Sequence, residues 1–164
     1  MSRLRTLKTP IGTLLIEGDG DAITQIILPG SDGGLPTDGR ADVSSSPEIV
    51  RTAAQQLSEY FVGERTDFDL KLEFTGGTEF QRDVWLSLGE IPFGKTISYA
   101  ELATMVGRPS AFRAVGQANG ANPIPIVLPC HRVIASGGGI GGYGGGLDMK
   151  RKLLALEGNS QIAG

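Results

Sequence analysis

Cys130 and His131 are the only cysteine and the only histidine of this 164-residue chain, and they are neighbours, in the stretch LPCHRVI at 128–134. A thiolate is a soft, strong nucleophile and an imidazole titrates near neutral pH, so the pair has the parts for nucleophilic chemistry. A lone cysteine is also an ordinary small hydrophobe, and a lone histidine is more often a satisfied polar residue than a base. Three local features favour chemistry. Pro129 fixes the backbone just before Cys130, His131 and Arg132 bring positive charge expected to lower the thiol pKa, and the segment follows a pair of helices rather than lying inside a uniform apolar strand. In a regular strand, adjacent side chains point to opposite faces, so joining this pair requires a bend in the backbone or a bridging water. A base at His131 would itself need an orienting carboxylate, and Glu157, at the end of a helix in the same half of the chain, is the candidate.

The elements that must position these groups can be read along the chain. LRTLKTPIGTLLIEGDGDAITQIIL shows β-favouring segments broken by PIG and GDGD, a short antiparallel meander, and a polar loop follows over PGSDGGLPTDGRADVSSS. In SSPEIVRTAAQQLSEYFVGE, Ser46 can cap a helix with Pro47 at its first position, and Ile49, Val50, Ala53, Leu57 and Phe61 form an apolar face that Gly63 ends. DFDLKLEF alternates with period two, which predicts a strand with Phe68, Leu70, Leu72 and Phe74 on one side. The junction falls at TGG, 75–77. Thr78 with Gln81 makes a capping box for the helix EFQRDVWLSLGEI, and Ser98 with Glu101 makes another for SYAELATMVG. Ser110 is the expected cap of SAFRAVGQANG, and the two short helices joined by GRP form a helix-turn-helix pattern. PIPIVLPCHRVI reads as extended, and LDMKRKLLALEG as a helix capped by Asp148, with Leu147, Met149, Leu153, Leu154 and Leu156 available for packing. GGGIGGYGGG at 137–146 has neither a phosphate-loop nor a dinucleotide fingerprint, so it reads as a lid or pocket wall from which Tyr143 projects.

Composition bounds the function classes. At 40% hydrophobic and 20% charged the chain reads as an ordinary soluble protein, with no apolar run able to span a membrane and no signal-peptide core in MSRLRTLKTP. A cytoplasmic, reducing location is therefore expected. One cysteine forms no internal disulfide, and one cysteine plus one histidine falls short of a structural zinc site, so no metal is expected. The net charge of −3 is uneven: residues 1–74 hold 7 basic against 12 acidic residues and residues 75–164 hold 8 against 6, or −5 and +2. Two units with different jobs are implied, 1–74 and 75–164. On these grounds alone, a helix-turn-helix DNA-binding regulator and a cysteine hydrolase both stay open, although nothing marks an oxyanion hole for the latter.

PCHRVI, preceded by IPFGKTISYAELA and RAVGQANGANPIPIVL and followed by GGYGGGLDMKRKLLALEG, resembles the O6-alkylguanine-DNA alkyltransferase family, also called methylated-DNA-protein-cysteine methyltransferases. The likeness covers 78–158 with several separately spaced motifs in order; the first 74 residues are similar to the family's N-terminal domain in plan, three strands, a helix and a further strand. The resemblance implies an α+β chain, a small N-terminal α/β domain of antiparallel sheet plus helix, ribonuclease H-like, serving as scaffold, and a mainly helical, winged helix-turn-helix C-terminal domain holding the active cysteine.

It also implies roles. Cys130 would accept the alkyl group of O6-alkylguanine, and less readily of O4-alkylthymine, in one irreversible step, since a thioether offers no hydrolysable bond; the protein would be spent once, without a cofactor. His131 would take the thiol proton through a water, Glu157 would orient the imidazole, Asn122 would brace the region, and Tyr99 would donate to guanine N3 and crowd the phosphate of the rotated nucleotide. The carbonyls of Cys130 and Val133 would read the exocyclic amine, with the N–H groups of Tyr143 and its glycine neighbours, Gly141 and Gly144 among them, near O6; Gly144 stands where some relatives carry serine. The partner implied is double-stranded DNA, approached by a monomer through the minor groove, with Arg113 filling the gap left by the extruded base and Ser110, Ala111, Ala114 and Gly116 permitting close approach. Phe112 is bulkier than the small residue expected there and is read as pointing into the helix pair. A non-catalytic alkyltransferase-like lesion binder is the rival within the family, and Cys130 argues against it.

Overall fold

Turns at Pro10–Ile11 and Gly20–Asp21 fold the first apolar segments back on themselves, so that three strands pair in sequence order: β1 (Arg3–Thr9), β2 (Gly12–Asp19) and β3 (Ala22–Ile27). In the computed structural model, residues 3–29, 41–42, 47–135, 137, 139–143 and 146–158 are described, and the chain divides into two compact units, Met1–Thr75 and Gly76–Gly164.

In the first unit both strand pairs are antiparallel, and a two-residue strand, β4 (Ala41–Asp42), joins the free edge of β1 in parallel, giving the order β3-β2-β1-β4. Two residues have no periodicity to read, which is why a strand sits inside the stretch expected to be loop throughout. Leu14, Leu15 and Ile16 are buried in succession, so β2 is covered on both faces. Helix α1 (Glu48–Phe61) lies on the sheet and turns Val50, Ala53, Leu57 and Tyr60 inward. Pro47 occupies its N-cap, and the expected cap Ser46 lies outside the described residues. The strand expected over 67–74 is not formed. Phe68, Leu70, Leu72 and Phe74 do alternate in burial with their exposed neighbours, but the segment bridges β3 only around Ile23, through Ile23 N–H to Lys71 O at 2.8 Å and Glu73 N–H to Ile23 O at 3.0 Å. Its other anchor is a side chain: Gln56 of α1 donates to Asp69 O at 3.0 Å and accepts from Asp69 N–H at 2.9 Å. An amide side chain thus replaces a ladder rung, which a period-two pattern cannot reveal.

The second unit is built from α2 (Glu79–Leu88), β5 (Ile97–Ser98), α3 (Tyr99–Met105), α4 (Phe112–Gly120), a 3-10 turn at Cys130–Arg132, β6 (Val133–Ile134) and α5 (Leu147–Leu156). Helices α2, α3 and α4 pack on one another around Val84, Trp85, Leu88, Leu102 and Val115, and β5 pairs in parallel with β6. Both capping boxes are present: Thr78 accepts from Gln81 N–H while Gln81 accepts from Thr78 N–H, and Ser98 and Glu101 do the same. Helix α2 stops at Leu88, short of the expected Ile91. The turn between α3 and α4 depends on Gly107, whose φ of +75° suits a residue without a Cβ.

Three local expectations are corrected. Ser110 does not cap α4; Ala111 holds that position without a side-chain bond. Asp148 lies in the first turn of α5, and Gly146 is the N-cap. The segment PIPIVLPCHRVI is not extended: it turns at Ile126, a buried residue with φ of +73°, closes with Leu128 N–H to Ile124 O at 3.0 Å, and coils again at Cys130. Prolines at 123, 125 and 129 give the segment its extended look, but they also remove the backbone donors that would hold it extended in a ladder.

Candidate active site

The 3-10 turn supplies the bend that the adjacency of Cys130 and His131 requires, because side chains in such a turn no longer alternate between two faces. His131 is fully buried, and its Nε2 lies 2.7 Å from Glu157 Oε2. An ionised carboxylate only accepts, so Nε2 carries the hydrogen and Nδ1 keeps its lone pair. Nδ1 has no hydrogen-bond partner among the described residues. Burial lowers the imidazole pKa below its ordinary value, against the opposing pull of Glu157, so the ring is neutral at pH 7.

Glu157 is the C-cap of α5 and is held from a second side by Arg132, whose Nε and Nη2 donate to its two oxygens at 2.8 and 2.9 Å. The guanidinium also donates to Ile91 O at 2.6 Å and lies over the Phe93 ring. Two buried cationic or polar groups therefore share one carboxylate, and the bond to Glu157 fixes which ring nitrogen of His131 carries the hydrogen. Arg132 was expected only to add positive charge beside the thiol; it pairs instead with the acid.

Cys130 is buried, with 5% of its surface exposed. Burial raises its pKa, contrary to the expected lowering, and the side chains of Asn122 and Tyr143 and the charge of Lys150 only partly offset that. The thiol is consequently protonated at rest and needs a base when it reacts. Asn122 carries out two tasks: its Oδ1 accepts from Ile124 N–H at 2.9 Å and its Nδ2 donates to Leu128 O at 2.7 Å, which fastens the turn that leads into Cys130.

Two buried groups, Lys150 and Asn119, and the pairing of Arg132 with Glu157 escaped the sequence. Lys150 is fully buried on α5 and donates to Val133 O at 2.7 Å and Gly142 O at 2.9 Å, tying the glycine loop to β6. Burial lowers its pKa to about 8, and Cys130 acts on it in the opposite sense. Its signal was its position: Lys150 shares the apolar face of α5 with Met149, Leu153 and Leu154, two turns before Glu157. Asn119, buried on α4, donates to Cys130 O at 3.3 Å. The Cys130 carbonyl thus accepts from both Asn119 Nδ2 and Val133 N–H, and the Val133 carbonyl accepts from Lys150.

Tyr99 begins α3, half-buried, with its hydroxyl donating to Gly142 O over a long 3.4 Å and its pKa raised by burial. Gly141, at φ of +73°, lies so close that a Cβ there would sit 3.0 Å from the Tyr99 hydroxyl, and one on Gly116 of α4 would sit 3.6 Å from its ring. The glycine loop is therefore a wall against Tyr99. Gly144 lies outside the described residues. On α4, Val115, Ala118 and Asn119 face inward while Phe112, Arg113 and Ala114 are exposed, as is Ser110 before the helix. Ala111 and Gly116 are half-buried. Phe112 is 49% exposed and does not enter the helix pair. Among the described residues, no helix is long and apolar enough to cross a membrane, and no three His, Cys, Asp or Glu side chains gather as metal ligands.

Known proteins are similar to this chain over nearly its whole length. Residues 3–74 match the 6-O-methylguanine DNA methyltransferase ribonuclease-like domain, and residues 79–159 match the DNA binding domain of the same proteins. A methylated-DNA--protein-cysteine methyltransferase of Mycolicibacterium paratuberculosis is 46% identical over 157 residues, 96% of this chain and 93% of the relative. One of Methanosarcina barkeri is 45% identical over 155 residues, 94% and 96% of the two chains. The crystal structure of Mycobacterium tuberculosis OGT in complex with DNA superposes with a TM-score of 0.83 at 43% identity, covering 98% of this chain and 94% of that one. The chain belongs to the 6-O-methylguanine DNA methyltransferase family.

Proposed function

We propose that this protein repairs DNA by direct reversal, moving the alkyl group of O6-alkylguanine, and more slowly of O4-alkylthymine, onto Cys130 Sγ in a single irreversible step. The observation that carries the assignment of roles is the buried bond from His131 Nε2 to Glu157, 2.7 Å long, which leaves Nδ1 as an acceptor with no partner among the described residues, in the residue next to a cysteine whose thiol burial keeps protonated. The thiol proton passes through a water to His131 Nδ1, Sγ attacks the alkyl carbon, the S–C bond forms and the C–O6 bond breaks. Glu157 stabilises the imidazolium produced, and Arg132, donating to both of its oxygens, holds it in place. Guanine departs as its anion and is quenched by a proton delivered at N3, for which the Tyr99 hydroxyl is the donor; its 3.4 Å bond to Gly142 O is weak enough to exchange for a base.

The target carbon lies within the duplex, so the nucleotide is rotated out, at a cost of a few kcal/mol, with Arg113 of α4 entering the vacated stack from the minor groove. The exposed edge of α4, with Ala114 and Gly116 adding little bulk, permits that approach. The acceptor's free thiol suits a reducing compartment, and the cytoplasm is the location that follows. Intact mass after mixing with O6-methylguanine duplex tests the function. A gain of ~14 Da, one methylene, at one event per molecule and lost in Cys130→Ser is expected. Multiple turnovers, or a gain that persists in the variant, would overturn it.

A further inference from the structure

Phe112 is the largest apolar side chain on the exposed face of α4 and the one feature of that helix which alkyl transfer leaves without a task. It stands at the first helical position, 49% exposed, immediately before Arg113. Residues four apart share a helix face, so Phe112 lies one turn from Gly116, and Gly116 is the residue that abuts the Tyr99 ring. The side chain is therefore aligned with the mouth of the site rather than with the far side of the helix. Its surroundings are suited to a polyanion: from residue 102 to residue 147 the chain contains no Asp or Glu, while Arg108 and Arg113 are both exposed. An exposed ring beside an exposed arginine, in a stretch of chain without acids, matches the apolar wedges that enter base steps from the minor groove.

We propose, resting on the alkyl-transfer function above, that Phe112 is a second wedge. Its ring packs into the base step of the lesion-bearing strand next to the rotated nucleotide, while Arg113 occupies the vacated position. The ring opposes re-stacking, so it raises the lifetime of the extruded base without touching the reacting atoms. Because it carries no charge, it displaces no counterions, and this separates it from Arg113.

The test compares Phe112→Ala, Phe112→Leu and Arg113→Ala with the unaltered protein on two substrates, an O6-methylguanine duplex and free O6-benzylguanine. Phe112→Ala should slow transfer from the duplex about tenfold, the scale of one lost aromatic–base contact, and change the free-base rate less than twofold. Phe112→Leu should recover part of the duplex rate. The salt dependence of duplex binding should keep its slope in Phe112→Ala and lose about one unit in Arg113→Ala. With Cys130→Ser as background, 2-aminopurine beside the lesion should brighten on binding, and Phe112→Ala should remove most of that signal. Equal duplex rates for Phe112→Ala and the unaltered protein, or equal losses on both substrates, would overturn the wedge. Failure of the unaltered protein to transfer from either substrate would instead overturn the function on which it rests.

Discussion

At the scale of single residues, the site stores its reactivity in neutral groups. Burial holds the Cys130 thiol up and the His131 imidazole down, so neither ionises at rest near neutral pH. The charge that burial would otherwise penalise is concentrated in the Glu157–Arg132 pair, where two guanidinium nitrogens satisfy both carboxylate oxygens. The sign of the pH dependence follows. The unfolded chain binds a proton near the ordinary histidine pKa of 6.5, whereas the folded chain binds it only at lower pH. Stability from the neutral imidazole is thus complete above 6.5 and is lost as pH falls below it toward the folded value. Transfer from free O6-benzylguanine, which needs neutral His131, should hold level as pH is lowered through 6.5 and fall only in more acid solution, while the urea midpoint already declines. A rate that halves at 6.5 would mean that the His131 base titrates at its ordinary value, and a rate that never falls in acid would mean that His131 is not the base.

At the scale of elements, caps decide where helices begin, and they divide into those that bond and those that do not. Thr78→Ala and Ser98→Ala should each cost about 1 kcal/mol, read as a lower denaturant midpoint, because each hydroxyl accepts a backbone N–H at the start of a helix. Ser110→Ala should change stability little, since the Ser110 side chain is not the cap of α4. The contrast also explains what was legible. Both capping boxes could be read because the motif is complete within four residues, and Cys130, His131 and Glu157 because their types are rare or stand at a helix end. Ser110 and Asp148 have the right residue type, but the neighbouring backbone decides the cap. Lys150 and Asn119 act on carbonyls 17 and 11 residues away, and Arg132 on a carboxylate 25 residues away. Such partners are set by packing, so no local spacing announces them. The buried left-handed turn at Ile126 was hidden for a related reason, being held by the Asn122 side chain against the preference of a β-branched residue.

At the scale of the whole molecule, the acidic and the acid-poor halves coincide with the two compact units, so the charge that repels a phosphate backbone is kept in the unit that holds none of the site residues. The first unit earns its place through its own core, in which Leu14, Ile16, Ile23, Leu57 and Tyr60 are sealed from solvent. The second encloses a sulfur atom with 5% exposure, and that enclosure bears on the protein after its one reaction. A methyl left on Sγ has to fit among Asn122, Tyr143 and the turn that Asn122 fastens, where interiors have little spare volume. Overfilling of this kind costs about 1–3 kcal/mol, so the methylated protein should melt a few degrees below the fresh one in calorimetry. A larger substituent should lower the melting point further. The spent molecule would then be marked by its own crowded interior, and limited proteolysis should cut the alkylated protein faster than the fresh one.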